Sequence, residues 1–382
     1  MKVLSIGTDR KIFQEGSAAR KRMIEYGALF EELHIIVFAK KSLGLEPWRI
    51  ANNVWIYPTN SSSKFLYIRD GVRVAKNIVK LRNFNAQSTV VTAQDPSETG
   101  KVGLKMKQLY SFPLQVQVHT DIMSPHFAAQ SLLNRLRVST ARTVLGKADE
   151  VRVVSKRIER SLIHSMRVPS TKIDILPIYV DPLRFSTPSG VDLHTLYPQF
   201  KTIVLMVSRL EPEKNVGGAL AIFEDIVKTF PDAGLVIVGS GTEESLLRKK
   251  IKNLKLENSV VIEAWQENLS GHYKTADIFL LTSLYEGYGM VLVEAAHHNL
   301  AIVTSDVGIV GDILIDGVSA MVNPVNNTKM FVEKITKLII DPAFRKIIAQ
   351  GGYDVISKRT MLSNEEYLQQ YKALLEKLIP HA

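Results

Sequence analysis

The chain has 382 residues, 46% of them apolar and 23% charged, a balance that fits a soluble globular protein with no disorder signature. That length exceeds one ordinary core and points to two domains. There is no cysteine, which excludes disulfides, thiolate metal sites and a cysteine nucleophile and is consistent with the cytosol. No apolar run approaches the roughly 20 residues of a membrane span, and the opening Met1-Lys-Val-Leu-Ser-Ile reads as a first strand, not a signal sequence. The formal charge of +10 is unevenly placed: residues 1–190 hold 29 Lys and Arg against 15 Asp and Glu, the remainder 19 against 23. A basic first half calls for an anionic partner, whether nucleic acid, a phospholipid surface or a phosphorylated acceptor.

In chain order, Val3–Ile6 reads as a strand, followed by the loop Gln14-Glu-Gly16-Ser17 and an amphipathic helix from about Ser17 to Leu33. Strand-like runs continue at His34–Phe38, Val54–Tyr57, Thr89–Thr92, Leu114–Val118, Val151–Val154 and Ile175–Pro177, with helical stretches between most of them. This is the βαβ rhythm of a parallel sheet covered by helices. Pro182, Pro188, Gly190 and Pro198 then interrupt it. The rhythm restarts at Thr202–Val207 and continues through Leu235–Val238, Val260–Ile262, Asp277–Thr282, Ala301–Ser305 and Ala320–Val322, with a helical tail from about Thr328. The expected organisation is a first α/β domain over 1–185, a linker over 186–200 and a second α/β domain over 201–360. Residues 361–382 are expected to form a helix packing back on the first domain. Two doubly wound Rossmann-like sheets would then face a central cleft, where ligands of such sheets usually bind.

The most informative stretch is Glu286-Gly287-Tyr288-Gly289-Met290-Val291-Leu-Val-Glu294, a turn between a buried strand and a helix. Amides collect at such a helix start and attract phosphate or hydroxyl oxygens. Two carboxylates eight positions apart flank it, which suits a ligand carrying both phosphate and many hydroxyls. The plainer reading is a helix N-terminus with two solvated glutamates. Val207-Ser-Arg209-Leu-Glu-Pro-Glu-Lys214 places two cations at another strand end, where they fit a diphosphate better than a solvated loop would require. Gly239-Ser-Gly241-Thr-Glu-Glu244 lacks the third glycine of a dinucleotide fingerprint, so a nicotinamide site is rejected in favour of a tight turn with a minor ligand role. There is no P-loop, no Asp-x-Asp pair and no zinc spacing. His119, after the strand ending at Val118, is either a structural histidine or a contact to a sugar. Gly16 either offers amides to phosphate or merely precedes an N-cap at Ser17. Basic, partly apolar stretches at Lys64–Arg82 and Asn134–Arg142 fit an anionic membrane surface or amphipathic helices packed on their own sheet.

Taken in this order, these motifs resemble those of the family four retaining glycosyltransferases of GT-B fold, most strongly from about Thr202 to Val322. Glu286 and Glu294 match the family's E-x7-E pair, and Arg209 and Lys214 its diphosphate-binding cations. The resemblance implies that Glu294 binds the nucleotide ribose and that Glu286 and the amides from Gly287 through Tyr288 and Gly289 to Met290 hold the donor sugar, with Val291 beside them. It implies that His119 contacts the sugar near its reacting carbon and that Gly16, Ser17 and Gly239 lie by the phosphates. Trp265 and Gln266 would meet the base. Leu176-Pro-Ile-Tyr-Val-Asp181 and Ala264-Trp265 depart from the family pattern. The implied reaction is metal- and cofactor-independent transfer, with retention, from a UDP- or GDP-sugar to a glycan or lipid-linked acceptor in envelope polysaccharide or glycoconjugate synthesis. The enzyme would act in the cytoplasm or peripherally on the inner membrane face. Nucleic-acid binding is not expected, for want of a recognition motif. A sugar-nucleotide epimerase or hydrolase and a non-catalytic binding subunit are the competing readings.

Overall fold

The computed structural model describes residues 1–181, 189–359 and 362–379. The chain divides into two units, Met1–Pro177 with Leu362–Ala382, and Ile178–Met361.

The first unit is built on eight strands: β1 (Lys2–Gly7), β2 (Glu32–Val37), β3 (Trp48–Ala51), β4 (Val54–Pro58), β5 (Thr89–Ala93), β6 (Leu114–Val118), β7 (Glu150–Val153) and β8 (Ile173–Ile175). Their order is β3-β4-β2-β1-β5-β6-β7-β8. All neighbours are parallel except the edge pair β3 and β4. Strands such as Thr89-Val-Val-Thr-Ala93 are buried along their whole length, as a sheet with helices on both faces requires. The first helix is shorter than its periodicity predicts: it covers Ala18–Gly27, and β2 already begins at Glu32. Gly27, its last residue, allows a close approach to β4, since a Cβ there would fall 2.1 Å from the Val54 side chain.

The second unit has β9 (Thr202–Val207), β10 (Ala233–Val238), β11 (Val260–Glu263), β12 (Ile278–Leu281), β13 (Ala301–Ser305) and β14 (Met321–Asn323). They form one parallel sheet in the order β11-β10-β9-β12-β13-β14. Val204, Met206, Leu235 and Ile237 meet Phe223 of the helix Val216–Thr229 in its core. The order reverses at β9: the chain leaves β9 towards β10, returns, and leaves β12 towards β13. The loops after β9 and β12 therefore diverge at a topological switch point, where doubly wound sheets hold ligands.

Pro182 and Pro188 lie outside the described residues. The rest of the expected linker does not behave as one. Residues 189–200 belong to the second unit: Ser189 Oγ accepts the Gly271 amide at 2.8 Å, Thr275 Oγ1 accepts the Leu193 amide at 2.9 Å, and the Leu193 side chain is fully buried. Apolar Val191, Leu193 and Phe200 make this stretch a packed flank.

The final helix, Asn364–Glu376, starts from a capping box of Ser363 and Glu366 and is part of the first unit. Tyr371 stacks on Tyr26 at 4.5 Å, and Tyr367 accepts a hydrogen bond from Arg152 Nη2 at 2.8 Å. Lys377 pairs with Glu150 at 3.3 Å and with Asp174. Among the described residues, no helix is long and apolar enough to cross a membrane.

Candidate active site

In the second unit, the β9 and β12 loops are tied to each other. The Leu284 amide donates to the Glu213 carbonyl at 2.8 Å, and Thr282 Oγ1 to the Lys214 and Asn215 carbonyls at 3.2 and 3.0 Å. On this strap Lys214 Nζ donates to Glu286 Oε1 at 2.6 Å, and Ser283 Oγ donates to the same oxygen at 2.8 Å. The two charged side chains are only 14% and 13% exposed. Arg209, 67% exposed, reaches Glu213 Oε1 at 2.6 Å. Both cations of the β9 loop are thus held by carboxylates on this strap.

The glycines of the β10 turn have a local cause. A Cβ on Gly239 would lie 1.9 Å from the Ser208 carbonyl oxygen, and one on Gly241 2.3 Å from that of Leu210. Backbone bonds from Leu210 N to the Ser240 carbonyl at 2.9 Å, and from Glu243 N to the Leu210 carbonyl at 2.9 Å, close the contact. Gly239 and Gly241 let the β10 turn support the loop that carries Arg209.

Beyond Glu286 the chain turns through Gly287, Tyr288 and Gly289. Gly289, at φ +91°, is the N-cap of the helix Met290–His297, which no side chain caps. The turn is held from below: the Ile309 amide donates to the Tyr288 carbonyl at 3.0 Å, and Gly308 stands at φ +59° where a Cβ would be 2.3 Å from that same oxygen. Tyr288 is 3% exposed, and burial, with Asp312 adding, pushes its phenol up to about 12. It packs as a core side chain, so what the turn offers a ligand is backbone. Glu294, one helical turn further on, accepts a hydrogen bond from Tyr273 at 2.8 Å. Glu286, Lys214, Arg209 and the Met290–Val291 helix start thus gather at the β9/β12 switch point.

Trp265 and Gln266 follow β11 at the edge of this sheet. Trp265 is 51% exposed, and Gln266 donates to Glu263 Oε2 at 3.3 Å. Glu263 also takes bonds from Tyr197 at 2.8 Å and from buried His272 at 2.9 Å, and the His272 contact leads in holding its carboxyl below the usual range.

In the first unit, His119 follows β6. Its Nε2 lies 3.1 Å from Gln117 Oε1, the same oxygen that accepts from Arg152 Nη1 at 2.9 Å. Arginine can only donate, so the atom facing it is the amide oxygen and His119 must donate through Nε2. Burial, then the charges of Arg152 and Arg22, lowers the imidazole to about 3. His119 is therefore neutral at pH 7, with Nδ1 as its acceptor. Ser17 works as an N-cap: its Oγ accepts the Arg20 amide at 3.2 Å and donates to the Lys11 carbonyl at 2.7 Å. Gly16 stands at φ +76° with no atom near a Cβ position.

Motif reading missed the partners of these groups. Glu213, Ser283, Tyr273 and Gln117 bond directly to residues singled out from sequence, and Arg152 bonds Gln117. Glu213, Ser283 and Gln117 stand within four positions of their partners, whereas Tyr273 is 21 positions from Glu294 and leaves no local signal.

Residues 196–355 match the family model of Glycosyl transferases group 1, and residues 32–184 that of Glycosyltransferase Family 4. The chain belongs to the GT-B glycosyltransferases of the family four type. This glycosyltransferase is 23% identical over 300 residues to the alpha-monoglucosyldiacylglycerol synthase of Acholeplasma laidlawii, covering 72% of each chain. It is 27% identical over 203 residues to the poly(glycerol-phosphate) alpha-glucosyltransferase of Bacillus subtilis, covering 51% of this chain and spanning 29% of that relative's length. Among solved structures, sucrose-phosphate synthase from Thermosynechococcus elongatus superposes with a TM-score of 0.82 at 16% identity, over 99% of both chains. Anabaena Alr3699/HepE in complex with UDP-glucose does so with a TM-score of 0.73 at 18% identity, again over 99% of both. At these identities the structures share the fold.

Proposed function

We propose that this glycosyltransferase moves a sugar, with retention, from a UDP- or GDP-sugar to a hydroxyl of a glycan or lipid-linked acceptor in polysaccharide or glycoconjugate synthesis, without a metal. The observation that carries this reading is the meeting of Arg209, Lys214, Glu286 and the uncapped Met290 helix start at one switch point. The UDP-glucose complex of a chain with the same fold supports a uridine donor.

Both cations carry carboxylate partners without donor, so an incoming diphosphate exchanges one anionic partner for a stronger one. As Lys214 turns to phosphate, Glu286 is released to accept hydroxyls of the sugar. Arg209, Lys214 and the helix amides then stabilise the charge that grows on the departing diphosphate. Positive charge builds on the sugar ring as the bond to phosphate breaks. The acceptor hydroxyl attacks from the same face, and its proton passes to the leaving phosphate. Glu294 bonds the ribose, oriented by Tyr273. His119, neutral and donating into Gln117, presents its Nδ1 acceptor to a sugar hydroxyl.

The test is thermal stabilisation by a panel of nucleotide sugars, since a ligand that binds only the folded protein raises its melting temperature. A UDP- or GDP-sugar is expected to raise it and Arg209→Ala to abolish most of the rise. An equal response from Arg209→Ala would refute the phosphate role. Conversion of donor with no acceptor present would replace transfer by epimerisation or hydrolysis.

A further inference from the structure

A second concavity, of about 750 Å³, lies wholly within the first unit and serves none of the groups above. Its floor is the carboxyl edge of the sheet: Thr8 follows β1, Phe38 and Lys40 follow β2, Ser62 and Ser63 follow β4, and Ser97 and Lys101 follow β5. Two helices wall it. From Leu132–Lys147 come Leu133, Leu136, Arg137 and Thr140, a single face at spacings of three and four. From the start of Tyr67–Leu81 come Tyr67 and Ile68, and from the turn before it Phe65.

The groove is apolar where a folded chain should not be. Phe65 is 95% exposed, Leu136 66% and Leu133 52%. The rear faces of both helices are ordinary core, with Ala75 and Ile78 on one and Ala141, Val144 and Leu145 on the other fully or almost fully buried. Helices already satisfied on one side expose an apolar stripe on the other mainly where something binds. The polar part is cationic. Arg10, Lys40, Lys64 and Lys101 line it, and among the described residues none of them has a carboxylate within salt-bridge distance. The one acid in the lining, Glu98, is taken by Arg137 at 2.9 Å. Like charges crowd here with no counter-charge from the protein.

We infer that this groove binds a phosphate-bearing lipid as a single molecule, its phosphate among Lys40, Lys64 and Lys101 and its apolar chain along Phe65, Leu133 and Leu136. Charge complementarity demands an anion and the leucine face demands a hydrocarbon, so neither free phosphate nor a neutral glycan satisfies both halves. The inference deepens the transfer reading, on which it rests, by naming the acceptor class as a lipid phosphate or diphosphate.

The experiment is calorimetric titration of the full chain with dodecyl phosphate below its micelle concentration. Inorganic phosphate and dodecyl maltoside separate the two halves of the ligand. Dodecyl phosphate is expected to bind at least about tenfold tighter than either. Lys101→Glu and Leu133→Ser should each weaken it about tenfold, while Lys252→Glu, a like change of charge on the other unit, should leave it unaltered. Phe65 is almost fully exposed, so Phe65→Ser tests the apolar half at a position that contributes little to folding. Equal binding by wild type and the groove variants overturns the inference. So does sedimentation with phosphatidylglycerol vesicles without uptake of the monomeric probe, which would make the surface a bilayer dock. Because this titration needs no nucleotide, its failure is separable from failure of the donor site. Nucleotide binding without dodecyl phosphate binding refutes only the groove, and the reverse refutes only the donor reading.

Discussion

If Glu286 holds Lys214 until a diphosphate arrives, substitutions of the two partners should act on nucleotide binding with opposite signs. Lys214→Met removes a phosphate ligand. Glu286→Gln removes the carboxylate that competes for that ligand, 2.6 Å from Nζ, and with it a negative charge beside an incoming anion. Without ligand, either single change strands a charged group that is about 14% exposed. Breaking such a pair costs about 3–5 kcal/mol at full burial, and the Ser283 donor and residual water access reduce this to roughly 2–3 kcal/mol. The double variant strands nothing, so the cycle should show a coupling of about 1–2 kcal/mol in urea unfolding. With UDP alone, which carries no sugar for Glu286 to hold, Glu286→Gln should bind about threefold to tenfold tighter than wild type and Lys214→Met at least about tenfold weaker. Titration calorimetry with UDP reads both. Weaker UDP binding by Glu286→Gln, or stability effects that simply add, would refute the exchange.

Further outcomes follow from the same geometry. Gly239→Ala puts a methyl 1.9 Å from the Ser208 carbonyl and should cost on the order of 2–4 kcal/mol in chemical unfolding, along with nucleotide binding. Gly146→Ala, where a Cβ meets nothing, should be neutral or stabilise by up to about 1 kcal/mol. His119 is lowered to about 3 when folded, so below its free value of 6.5 the unfolded chain takes up the proton first. The stability that its burial as a neutral ring contributes is present above pH 6.5 and lost as pH falls towards 3. Between pH 7 and pH 4.5, His119→Gln should therefore lose about 2–3 kcal/mol less than wild type in urea melts; identical losses would contradict the neutral ring. Tyr367→Phe removes the shortest of the three hydrogen bonds of Arg152 Nη2 and should cost about 1–2 kcal/mol, with faster amide exchange in the helix Asn364–Glu376.

Parallel strands buried on both faces announce themselves as unbroken apolar runs, which is why most strands stand within a residue or two of their apolar runs. The edge strand β3, Trp48-Arg49-Ile-Ala51, offers no such run and was not legible. The switch point follows from strand order, which periodicity does not carry, yet the residues gathered there were visible as cations and carboxylates at strand ends. Their pairing was not: Lys214 and Glu286 are 72 positions apart and meet only because β9 and β12 are neighbours. The same holds for Gln117 with Arg152 and Gln115 with Glu150, buried polar pairs that stand opposite each other in the β6–β7 register. Individually each looks like an error in a buried strand; across the ladder each satisfies the other. Residues 189–200 misled in the other direction, because a glycine and a proline at either end of a packed segment imitate a tether.

The return of residues 362–379 to the first unit has a consequence for how the molecule is made. Residues 1–177 emerge from the ribosome as an unfinished body, and the piece that finishes it is made only after the whole of the second unit. Until then Arg152 lacks its tyrosine partner and the Tyr26 ring lacks the one stacked upon it. Native assembly of the first unit is thereby made contingent on translation having passed through the whole of the second unit. Prematurely released chains carry an open aromatic seam, the kind of surface that chaperones and proteases select.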